Sequence, residues 1–120
     1  MDVDYEQLLT KALKEFDSFS LVWRESDRFK DEAKKFTKRL EPYLISKIRT
    51  NRWPGTKIRG GKAIVRTYKV CPESISELRV VSDVFAWLPP YLPEDLAFYK
   101  NDKVVFTSIA HERIASFDAT

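Results

Sequence analysis

The apolar residues of this chain switch between helical spacing and strict alternation, and prolines and glycines mark the places where they switch. Tyr5, Leu8, Leu9, Ala12, Leu13 and Phe16 fall three and four apart, with Lys11, Lys14 and Glu15 away from that stripe. The spacing predicts an amphipathic helix packed on a core, and Asp4 with Gln7 supplies an N-cap and a capping-box partner. Phe19, Leu21 and Trp23 then alternate with Ser20 and Arg24, the pattern of a half-buried strand. Phe29, Ala33, Phe36 and Leu40 return to the helical period after a cap at Ser26 or Asp27. Pro42 ends that second helix, because proline has no N–H to donate and pushes the residue before it out of the helical region.

Beyond Pro42 the segments shorten. Tyr43 to Thr50 fits a strand or a short helical continuation, the strand being preferred. Trp53-Pro54-Gly55-Thr56 and Gly60-Gly61 are turns, and Ala63 to Val70, rich in Ile64, Val65, Thr67 and Tyr68, is a strand. Ser74 opens a third helix with Ile75, Leu78, Val81 or Ser82, Phe85 and Leu88 on its buried face, stopped by Pro89-Pro90. Tyr91 to Asp95 reads as a proline-set loop. Leu96 to Tyr99 and Val104 to Ile109 flank Asn101-Asp102 as a β-hairpin, and Ile114 to Phe117 adds a last short strand. The expectation is one α+β domain over residues 1–120, a largely antiparallel sheet with about three helices packed on it.

Charge is distributed unevenly. No Asp or Glu occurs from Pro42 to Pro72, a stretch that holds Lys47, Arg49, Arg52, Lys57, Arg59, Lys62, Arg66 and Lys69. Elsewhere acids outnumber bases, so the net charge is only +3. A basic stretch interleaved with Trp53 and Tyr68 suits an acidic partner, or single-stranded nucleic acid held by phosphate contacts and base stacking. Strand alternation sets Lys62, Ile64, Arg66 and Tyr68 on one side, so Lys62 and Arg66 line up with Arg59 nearby in the turn. The single cysteine, Cys71, fits a reducing compartment, and the acidic N-terminus lacks the basic-then-apolar order of a signal peptide. No apolar run approaches the ~20 residues that cross a bilayer. The expectation from these features is a cytoplasmic chain that keeps away from membranes.

Residues able to do chemistry are few. His111, the only histidine, lies in Ser108-Ile109-Ala110-His111-Glu112. Adjacent strand residues point apart, so His111 and Glu112 converge only at a bulge or turn, and a hydrogen-bonded histidine at a strand end is the commoner role. Cys71 has no neighbouring base and reads as a small buried filler. Gly60-Gly61-Lys62 lacks the spacing of a phosphate-cradling loop. The expectation is therefore no catalytic assignment, no cofactor and no metal.

Two motifs in order, Trp53-Pro54-Gly55-Thr56 and Leu92-Pro93-Glu94-Asp95-Leu96-x-Phe98-Tyr99 with Ser108-Ile109-Ala110-His111-Glu112 following, resemble a family of small bacterial proteins loosely labelled stage III sporulation protein AH. The resemblance runs from about Phe19 onward. It implies no established active site, and it points to Trp53, Asp95, His111 and Glu112 as positions the motif is built around. The resulting expectation is a non-enzymatic binding module for a protein with an acidic surface, toxin-neutralising immunity proteins being a familiar form. Arg52, Trp53, Lys57, Arg59, Lys62, Arg66, Asp95, His111 and Glu112 are the candidate contact residues. The alternative is a nucleic-acid-binding protein that uses the basic segment 47–69.

Overall fold

The computed structural model describes residues 3–117, and in it strand β1 (Ser18–Arg24) runs through the middle of the sheet. Its neighbours are β5 (Ala63–Lys69) on one side and β6 (Glu94–Lys100) on the other, both antiparallel to it. β2 (Leu44–Thr50) pairs with β5 and forms one edge. β7 (Lys103–Ile109) and β8 (Ile114–Phe117) continue from β6 to the other edge. A separate two-stranded hairpin is made by β3 (Arg52–Trp53) and β4 (Thr56–Lys57). The α+β architecture with a largely antiparallel sheet and three helices is as the sequence predicts.

Three helices cover one face: α1 (Tyr5–Glu15), α2 (Asp31–Leu40) and the short α3 (Pro72–Glu77). The Asp4 carboxylate accepts the Gln7 N–H at 3.0 Å and so caps α1. On the covered face Phe19 and Leu21 of β1, Tyr68 of β5, Leu96 and Phe98 of β6 and Phe106 of β7 meet Leu8, Leu9, Phe36 and Ile75 in one core. The Trp23 indole N–H donates to Thr37 Oγ1 of α2 at 3.1 Å, fixing that helix against the sheet.

The half-buried reading of β1 needs correcting. All five of its interior residues are buried, including Ser20 and Val22 on the side away from the helices. The cause is the hairpin: Trp53 and Ile58 fold back over Val22, Ala63 and Val65 as a second small cluster. Val22 therefore has cover on a face that an isolated three-helix layer would leave wet.

Helix boundaries shift too. α2 begins at Asp31 rather than at Ser26 or Asp27, because the Lys30 N–H donates to the Pro90 carbonyl at 2.8 Å and holds Lys30 extended. The expected long third helix is broken. α3 ends at Glu77, a 3-10 turn takes Leu78–Val80, and a second one takes Val84–Ala86. Asp83 accepts the Phe85 N–H at 2.7 Å, a local bond that competes with helix continuation. The Tyr5 hydroxyl donates to the Leu78 carbonyl at 2.6 Å, satisfying an acceptor the broken helix leaves free, and the Trp87 indole donates to Tyr5 at 3.2 Å. Glu94 and Asp95 belong to β6, not to the preceding loop. Asn101 and Asp102 both have positive φ, the requirement of a tight hairpin turn with primed geometry.

Among the described residues no helix is long and apolar enough to cross a membrane. Phe36 is fully buried with its ring 5.3 Å from that of Trp87. Phe36→Ala is expected to cost about 3–5 kcal/mol by denaturant unfolding. Stability equal to the parent would mean that α2 does not pack as described.

Candidate functional site

The two sequence motifs meet at one carboxylate. Asp95 is 2% exposed; its Oδ2 accepts the Trp53 indole N–H at 2.9 Å and its Oδ1 accepts the Ala110 N–H at 3.0 Å. Asp95 thus joins the β3–β4 hairpin, strand β6 and the 3-10 turn Ala110–Glu112 that follows β7. Its own φ is +58°, and the β1–β6 register slips between Ser20–Ala97 and Val22–Glu94. β6 therefore carries an extra residue there, a bulge with its strained residue in the left-handed region. The bulge suspends alternation, which is how adjacent acids, Glu94 and Asp95, both reach groups on the hairpin side.

Glu94 is the more unusual of the two. It is 1% exposed, with Arg24 Nε 3.1 Å from one carboxylate oxygen and His111 Nε2 3.5 Å from the other. Neither oxygen has a hydrogen bond of good geometry. Burial, reinforced by the Asp95 charge, raises the Glu94 pKa, and Arg24 and His111 oppose that rise. Nearby Asp27 is also pushed up by desolvation. The Arg24 guanidinium lies 5.2 Å from the centre of the Trp53 ring, so it spans the buried carboxylate and the aromatic face. Above them opens a shallow cleft of about 460 Å3, lined by Arg24, Gly55, Lys57, Ile109, His111 and Glu112.

The Ser108 hydroxyl is buried and donates to the Leu96 carbonyl at 2.7 Å, which occupies the atom a nucleophile would need. Among the described residues no group of three or more His, Cys, Asp and Glu side chains is placed to hold a metal ion. The Cys71 backbone N–H and thiol both face the Ser74 hydroxyl, at 3.0 and 3.6 Å, within the first turn of α3.

The basic segment divides among four places. Lys57 joins His111 and Glu112 at the cleft just described. Arg52 and Trp53 border a trough of about 450 Å3 on the sheet face away from the helices, with Ile45, Ile48, Val65 and Tyr99. Arg66 lies on the helix side, its guanidinium 4.5 Å from the centre of the Trp23 ring, in a cleft shared with Phe29 and Lys34. Arg59 is exposed and Lys62 partly buried in the loop around Gly60-Gly61 that precedes β5. The expected alternation of Ile64, Arg66 and Tyr68 holds, but it turns them toward the helices rather than to an open face. Trp53 is 7% exposed and Tyr68 fully buried, so both aromatics of the segment are inside.

Sequence reading missed one arrangement altogether. Lys47 of β2 stands directly opposite Arg66 of β5, two cations on one face of neighbouring strands. Neither has an ion-pair partner among the described residues, whereas Arg49 is gripped by Glu25 through two bonds of 2.7 and 3.0 Å. The pairing depends on the register across a long β2–β5 connection, which no local pattern reports. Glu94 and Arg24 were missed for a similar reason: a buried ion pair between distant strands has no periodic signature.

Comparison of the chain with protein-family models, with curated proteins and with solved structures returned no significant match.

Two outcomes check this geometry. Trp53→Phe keeps the ring but strands Asp95 Oδ2, and is expected to cost about 1–3 kcal/mol, with the loss read from denaturant midpoints. A neutral result would show that Asp95 does not anchor the hairpin. For Glu94 the raised pKa means that the folded state holds its proton to higher pH than the unfolded state does. Its contribution to stability therefore falls as pH rises above the ordinary carboxylate range. Glu94→Gln removes that slope, so the variant should gain on the parent as pH rises above the ordinary carboxylate range, the gain levelling off once Glu94 is ionised in the folded state as well. A constant difference between the two unfolding curves across that range would contradict the burial effect.

Proposed function

We propose that this chain is a non-enzymatic, cytoplasmic protein-binding module that receives an acidic partner on its basic side. The observation that carries the reading is the unpaired Lys47–Arg66 juxtaposition, with Lys34 lining the same cleft as Arg66. Like charges placed opposite each other across a strand pair are unfavourable, and a docking carboxylate relieves them. Arg52, Lys57 and Arg59 are exposed nearby in the chain and likewise have no ion-pair partner among the described residues. An immunity protein that neutralises an acidic toxin is the form of module that best fits a small domain with these properties. The single free cysteine supports a reducing compartment.

The nucleic-acid alternative loses support from Trp53 and Tyr68. Binding of single strands draws on exposed aromatic rings as stacking platforms, and both rings are buried.

The test uses the parent and a Lys47→Glu, Arg52→Glu, Arg66→Glu variant, each immobilised and exposed to extract of the source cells. A circular-dichroism spectrum first establishes that the variant is folded. The expected result is an acidic protein held by the parent, released as salt is raised, and not held by the variant. A parallel titration with a short single-stranded RNA separates the classes. Micromolar RNA binding by the parent that weakens steeply with salt and vanishes in the variant would replace the protein reading with the nucleic-acid one.

A further inference from the structure

Strand β2 is an open edge of the six-stranded sheet, and its two sides differ. Among the described residues its only strand partner is β5, so backbone N–H and C=O groups of alternate residues face outward. Ile45, Lys47, Ile48 and Arg49 are all exposed, Ile45 at 61% and Ile48 at 57%. The register places Ser46, Ile48 and Thr50 beside Thr67, Val65 and Ala63, on the trough side of the sheet. It places Lys47 and Arg49 beside Arg66 and Ile64, on the helix side. The edge therefore presents Ile45 and Ile48 beside Ser46 and Thr50 on one side, and on the other the free Lys47 next to Arg49 in its Glu25 ion pair.

We propose that β2 receives an extended segment of the acidic partner as an added strand, in which acidic and apolar side chains alternate. The inference rests on the acidic-partner reading above and specifies how that partner docks. A strand laid along β2 satisfies the outward backbone groups, as in other cases of strand addition. Its side chains on one side cover Ile45, Ile48 and the trough next to Trp53 and Pro54. Its side chains on the other side meet Lys47, whose ammonium has no ion-pair partner among the described residues and which a carboxylate neutralises.

Charge chooses among occupants. A second copy of this chain pairing β2 against β2 brings two unpaired Lys47 side chains onto the same side of the joined edge and supplies no free carboxylate there, which is unfavourable. Nucleic acid supplies phosphates but no backbone amides to complete the edge, and it leaves the isoleucines uncovered. The opposite edge, β8, consists of Ile114, Ala115, Ser116 and Phe117 and offers no cation.

The probe is a capped peptide of about eight alternating Glu and Val residues, a usual strand length. Two further forms carry N-methyl groups on one or the other alternate set of residues, which removes the N–H groups from one edge of the peptide and leaves every side chain in place. Binding is read at low salt from amide NMR shifts of residues 44–50. The expected result is that the peptide shifts β2 amides, that one N-methylated form binds roughly tenfold or more weakly, and that the other binds like the parent peptide. Lys47→Glu should weaken the parent peptide as well. Equal binding of both N-methylated forms would overturn strand addition and leave acidic recognition standing. Failure of every peptide to shift β2 at millimolar concentration would also overturn it, and the capture experiment then decides the acidic-partner reading on its own. β2 shifts that grow with protein concentration alone would assign the edge to a second copy instead. The same shifts produced by single-stranded RNA would assign it to nucleic acid.

Discussion

The Asp95 carboxylate is the point at which the sheet acquires its second face. Three helices cover one side of β1, and without the β3–β4 hairpin the other side would expose Val22 and Ala63 to water. The hairpin is held over them by the bond from Trp53 to Asp95. Asp95 reaches that indole only because a bulge in β6 turns its backbone into the left-handed region. The strain of that conformation is offset by two buried hydrogen bonds to an ionisable acceptor, a stronger kind than neutral pairs. The second of those bonds ties in the turn after β7, so three distant segments depend on one side chain.

The same bulge explains why a costly glutamate is tolerated beside it. With alternation suspended, Glu94 lies beneath Arg24 and His111 rather than in the helical core. A buried carboxylate contacted by charged neighbours of imperfect geometry is not a strong source of stability, since desolvation opposes the attraction. What the arrangement does is hold Arg24 across the Trp53 ring. The residues around His111 therefore tie the hairpin to β6 and to the turn after β7.

The β2 edge follows from the sheet order. β2 comes early in the chain yet lies outermost, because β5 pairs with both it and β1. A stretch without acids thus forms the edge strand β2, the β3–β4 hairpin and the inner strand β5. Edge strands commonly carry lysine, which discourages uncontrolled pairing. Here Lys47 and Arg49 lie on one side of the strand, with Ile45 and Ile48 on the other.

Period and punctuation determined much of this protein. The stripe of α1 with its Asp4 cap, the strand after it, the Asn101-Asp102 hairpin and the short β8 could all be read from local residues, because capping, alternation and tight turns act over a few positions. Trp53, Asp95 and His111 could be singled out as motif residues, and Lys57, His111 and Glu112 do share a cleft. What the tertiary structure decided was long-range. The break in the third helix depends on Tyr5 taking the Leu78 carbonyl, the late start of α2 on Lys30 meeting Pro90, and the burial of Trp53 on an acid 42 positions away. The facing of Lys47 and Arg66 was decided by register. Local sequence specifies which conformations a segment prefers, whereas register and cover depend on which distant segment supplies the missing hydrogen bond or the missing apolar surface.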